Sequence, residues 1–104
     1  MIELNKENFE AEVLQHQGPV LVDFWSPKCD PCMALLPDVT KLADEYEGKV
    51  KFCKVNVLEN RRLAISQKVL GLPTILFFNN GEKVAELAKD VTIDMIKAEL
   101  AKLS

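Results

Sequence analysis

The stretch Val20-Leu21-Val22-Asp23-Phe24-Trp25, followed after a proline-containing turn by Cys29-Asp30-Pro31-Cys32, decides how this chain folds. A mostly apolar run of strand length, with so little polar alternation, belongs to a central strand covered on both faces. Past the turn, Leu35, Leu36, Val39, Leu42, Ala43 and Tyr46 recur at helical spacing. The cysteine motif therefore lies where a buried strand hands over to a helix. Pro37 falls inside that helix and is expected to bend it, while Gly48 ends it. Asp23 is the one charge in the strand, and a carboxylate placed there needs a task or a partner.

Working outward, a short strand around Ile2 to Leu4 precedes Asn5, which is placed to cap a helix with Phe9, Val13 and Leu14 on its apolar stripe. Gly18-Pro19 stops that helix. Downstream, Val50 to Val57 reads as a second strand and roughly Asn60 to Lys68 as a polar helix. Gly71-Leu72-Pro73 introduces an apolar strand, Thr74 to Phe78. Asn79-Asn80-Gly81 supplies the turn into its hairpin partner, Lys83 to Leu87. Ile93, Ile96, Leu100 and Leu103 stripe a closing helix. The expected class is α/β, in the order βαβαβαββα. Early strands need helical crossovers and the last pair closes through a tight turn, so the central sheet is mixed and flanked by helices. No repeat, linker or low-complexity tract divides residues 1–104, which are expected to form a single domain.

Composition narrows the function. A formal charge of −3 offers no basic face for phosphates, which argues against nucleic acid as a partner. No apolar segment approaches the roughly 20 residues that span a bilayer, and the N-terminus lacks the pattern of a secretory signal. The expectation is a cytoplasmic protein with no membrane partner, and a monomer. Three cysteines do not make a structural disulfide framework.

Cys29 falls at the start of a helix, where unpaired amides and the macrodipole favour a thiolate. Two intervening residues leave both sulfurs on one turn, close enough to bond, and Pro31 suits a first-turn position. Such a pair can perform thiol–disulfide exchange: Cys29 attacks a partner disulfide and Cys32 resolves the mixed disulfide. The alternative is half of a zinc site. Zinc wants four ligands, and the other candidates, Cys53 in a strand and His16 at a helix end, do not pair at motif spacing. No metal is expected. Cys53 reads as a core residue and His16 as a solvated helix end.

Taken together, Val22-Asp23-Phe24-Trp25, Cys29-x-Pro31-Cys32, Pro37, Lys54-x-Asn56, Gly71-Leu72-Pro73-Thr74 and Asn80-Gly81 resemble the thioredoxin family in order and spacing over essentially the whole chain. The resemblance implies a thioredoxin fold and a protein-disulfide reductase that carries electrons without a bound cofactor. It implies that Cys29 is the exposed attacking thiol and Cys32 the buried resolving one. Asp23 becomes the buried acid that moves protons for Cys32, paired with Lys54. Burial should raise the pKa of such a carboxylate, partly offset by the ammonium. Read without the family, Asp23 could serve as a helix cap. The resemblance also implies a cis peptide bond before Pro73, and a docking surface for extended partner segments that includes Leu72, Pro73 and Thr74. Trp25 is expected beside the site; a core role with a satisfied indole is the other reading and does not exclude it.

The chain departs from the family at Lys28, Asp30 and Met33, where tryptophan, glycine and lysine are usual, and at Lys89, where glycine is usual. Lys28 should favour the Cys29 thiolate and Asp30 oppose it. Lys28, Asp30, Pro31 and Lys89 join the expected partner-binding surface, and a long cation at position 89 should change which partners fit. Altered motifs of this kind are similar to those of certain anaerobic bacteria, whose thioredoxins can work with unusual flavin-containing reductases. The expected partners are a thioredoxin reductase of that kind and disulfide-containing client proteins. Two rivals stay open: an oxidase or isomerase on the same fold, and a non-catalytic binding subunit.

Overall fold

A computed structural model describes residues 1–103. Its sheet has five strands: β1 (Ile2–Glu3), β2 (Pro19–Trp25), β3 (Lys51–Asn56), β4 (Thr74–Asn79) and β5 (Glu82–Ala88). They lie in the order β1-β3-β2-β4-β5. The first three are parallel to one another, β4 runs antiparallel to β2, and β5 runs antiparallel to β4. Three longer helices, α1 (Asp30–Glu45), α2 (Arg61–Ser66) and α3 (Ile93–Leu103), complete the order expected from the sequence, with a short helix over Glu10–Leu14 standing first.

Because β2 is central, its alternate residues feed two cores. Val20, Val22 and Phe24 meet Phe9, Val13, Cys53, Val55, Ala64 and Leu76 on the side of the short helix and α2. Leu21 meets Leu35, Val39, Leu42, Phe52, Ile75, Ile96 and Leu100 on the side of α1 and α3. Asp23 has the parity of Leu21 and so belongs to the α1 side.

The opening helix is shorter than its pattern suggests. Asn5 does act as a local cap, its Oδ1 accepting from the amides of Glu7 and Asn8 at 2.9 and 3.0 Å. The winding then widens: the Gln15 amide donates to the Glu10 carbonyl, five residues back, and the helix ends at Leu14, well before Gly18-Pro19. Phe9 and Val13 are buried, but Leu14 is exposed, since the widened turn no longer follows the 3.6-residue spacing that placed it on the stripe. Pro37 lies inside α1 as expected. Asn80 and Gly81, at φ 53° and 83°, form the turn between β4 and β5.

Candidate active site

The motif sits at the carboxyl end of β2, a central strand, on the loop that enters α1. Ser26 shapes this loop. It is buried, its Oγ accepts from the Lys28 amide at 3.1 Å, and its carbonyl accepts from the Cys29 amide at 3.0 Å. These bonds deliver Cys29 to the N-cap position of α1, where its Sγ accepts from the Cys32 amide at 3.2 Å. Asp30 and Pro31 occupy the first turn. An amide aimed at the sulfur is the arrangement that stabilises negative charge there.

Cys29 and Cys32 form a disulfide, with their Cα atoms 5.2 Å apart. Cys29 is partly exposed, whereas Cys32 is only 2% exposed. One sulfur faces a partner and the other faces the core. Cys53, the remaining cysteine, is unpaired and buried in the opposite core. Among the described residues no group of three or more His, Cys, Asp or Glu side chains is placed to hold a metal ion.

Asp23 is 2% exposed. Burial pushes its carboxyl up to about 7, against a smaller opposing pull from Lys54. Lys54 is the direct register partner of Asp23 across β2 and β3. Its ammonium, however, makes its ion pair with Glu3 at 3.7 Å and lies 5.5 Å from the centre of the Trp25 ring. Lys54 thus acts on Asp23 through its field and not through contact. Trp25 is half-buried, and its indole N–H has no hydrogen-bond partner among the described residues, contrary to the satisfied indole of the core reading.

The Leu72–Pro73 bond is cis, and Pro73 and Thr74 are buried. Thr74 Oγ1 donates to the Gly71 carbonyl at 2.7 Å, closing the loop in front of the proline. Leu72 lines a shallow depression with Val57, Ala64, Val69 and Leu70, and Leu70 is 93% exposed. Lys28, Asp30, Pro31 and Lys89 are exposed. Lys89 and Asp90 both adopt positive φ, 66° and 51°. The sequence reading missed Ser26 and Glu3. Ser26-Pro27 is a turn signal that could have been weighed, whereas Glu3 acquires its place only from the strand register.

A half-exposed cysteine capping a helix, bonded to a buried second cysteine three residues on, defines a thiol–disulfide oxidoreductase. The family model described as Thioredoxin matches residues 1–102. A thioredoxin of Peptoclostridium acidaminophilum is 54% identical over 103 residues, covering 98% of this chain and 94% of the relative. One from Acetoanaerobium sticklandii is 50% identical over 103 residues, covering 98% of each. Thioredoxin 1 of a Nostoc species is 43% identical over 82 residues, 79% of this chain and 77% of the relative. The chain belongs to the thioredoxin family, and its chemistry is dithiol–disulfide exchange at Cys29 and Cys32. It acts on disulfide-containing substrates and is itself reduced by a reductase. Among the described residues no helix is long and apolar enough to cross a membrane.

Proposed function

We propose that this protein is a single-domain, cytoplasmic protein-disulfide reductase whose residues divide the exchange between them. The Cys29 thiolate attacks a client disulfide, forming a mixed disulfide and releasing the first client thiolate. Asp23 accepts the Cys32 proton. The Cys32 sulfur then attacks Cys29 Sγ, forming the Cys29–Cys32 disulfide and releasing the second client thiolate, so two electrons pass to the client. Lys54 moderates the affinity of Asp23 for that proton. The observation that carries this order is the contrast between the partly exposed, amide-capped Cys29 and the buried Cys32.

Trp25, Lys28, Asp30, Pro31, Leu72, Pro73, Thr74 and Lys89 serve as the docking surface. The apolar rim of Leu72 and Leu70 supports this, since it gives an extended client segment something to bury. The order of attack is tested by trapping. Cys32→Ser should accumulate a mixed disulfide with a client through Cys29, and Cys29→Ser should accumulate none. The reverse pattern would overturn the assignment.

The reductase is read as a flavin-containing one matched to this loop, supported by the exposure of Lys28, Asp30 and Lys89 where the family usually carries other residues. Full-efficiency reduction by an ordinary NADPH-dependent thioredoxin reductase would remove that support.

A further inference from the structure

The sheet register puts three charged residues in one row. Glu3 of β1 stands opposite Lys54 of β3, and Lys54 stands opposite Asp23 of β2. Directly paired residues project to the same face, here the face that α1 and α3 cover. Lys54 therefore stands between two carboxylates. Its Nζ lies 3.7 Å from Glu3 Oε1, and among the described residues no ion pair within 4 Å joins it to Asp23. Glu3 is 60% exposed and Lys54 26%, so the pair occupies the sheet's edge while Asp23 stays inside.

We propose that Glu3 is a positioning residue for the exchange reaction: by holding the Lys54 ammonium at the β1 edge, it leaves Asp23 unpaired and able to take the Cys32 proton. This rests on the reading of Asp23 as the acid–base group for the cysteine pair. The charges around Asp23 leave little room for another route. From β3 it faces Lys54, and beyond Lys54 stands Glu3. From β4 it faces Ile75. α1 and α3 contribute Leu35, Val39, Leu42, Ile96 and Leu100 to this core, and among the described residues Asp23 is the one charged side chain that is buried. Lys54 is thus the charge through which an edge group reaches Asp23. Without Glu3 the ammonium has one carboxylate left in its row and moves inward, stabilising ionised Asp23 and weakening it as a base.

Carboxyl titration of Asp23 by carbon NMR in the oxidised protein tests this, with the pH profile of client-disulfide reduction measured on the same variants. Glu3→Gln should lower the Asp23 midpoint by roughly 0.3–0.7 of a pH unit, the scale of a partly exposed ion pair. The shift should shrink in about 1 M salt, and the pH profile should move down with it. In a Lys54→Met background Glu3→Gln should do nothing, and Glu7→Gln, which removes the same charge from an exposed position outside the row, should do nothing in either. A midpoint that stays or rises, or a shift that survives Lys54→Met, overturns the proposal directly. A midpoint that falls while the pH profile stays fixed overturns it through the role given to Asp23, which Asp23→Asn examines separately by the same profile.

Discussion

Asp23 illustrates how one misplaced charge carries both a cost and a use. Its folded-state affinity for a proton persists to about pH 7, because burial outweighs the pull of Lys54, while the unfolded chain releases that proton near pH 4. Between those values the folded form holds more protons, so stability falls as the pH rises. The favourable contribution is full below about pH 4 and lost as the pH passes about 7. Asp23→Asn is therefore expected to stabilise the oxidised protein at pH 8 by on the order of 2–4 kcal/mol and to change little at pH 4, as denaturant unfolding at the two pH values would read. Asp23, Cys29 and Cys32 were legible because each breaks a local rule: a charge in an apolar run, and two thiols at a helix entrance. Glu3 was not, since its relation to Lys54 is a matter of strand register between distant segments. The orphaned Trp25 indole was equally hidden, because residue type says nothing about which neighbour comes within reach.

At the scale of elements, the connections hold more of the chain's strain than the strands do. Lys89 and Asp90 are consecutive non-glycine residues in the left-handed region, each opposed by its Cβ. Lys89→Gly should raise stability by about 1 kcal/mol in urea unfolding and, by removing the cation, alter the relative rates of reduction of different clients. Gly48 and Gly81 offer a controlled comparison, since both have φ near +80°. A Cβ at Gly48 would meet nothing within 4 Å, whereas one at Gly81 would run into the Leu14 carbonyl. Gly81→Ala should thus be the more destabilising of the two by at least about 1 kcal/mol, measured side by side in the same denaturant. The Asn-Gly turn was readable from sequence because its chemistry is local. The early end of the opening helix was not, because periodicity reports which residues are apolar and not where the backbone widens to a five-residue bond.

For the whole molecule, the alternation of strand and helix was enough to foresee a mixed sheet between two helical layers. The apolar run of β2 also marked it as a central strand, and it does lie between β3 and β4 at the middle of the sheet. That placement sets the working cysteines at the rim, where the carboxyl end of β2 opens to solvent, and leaves the third sulfur in the interior. Cys53, on β3 beside β2, has no exposed surface. Burial pushes its thiol up to about 11, with Lys51 and the N-terminal ammonium opposing and Glu12 adding to the effect. Alkylating reagents should consume Cys29 of the reduced native protein rapidly and the buried Cys53 only as fast as the sheet separates, a difference that mass spectrometry of timed samples would resolve. Labelling of Cys53 as fast as Cys29 would contradict its burial. Its burial thereby makes the molecule its own dosimeter: the fraction of Cys53 alkylated during heating counts the openings each population has passed through, with no engineered label.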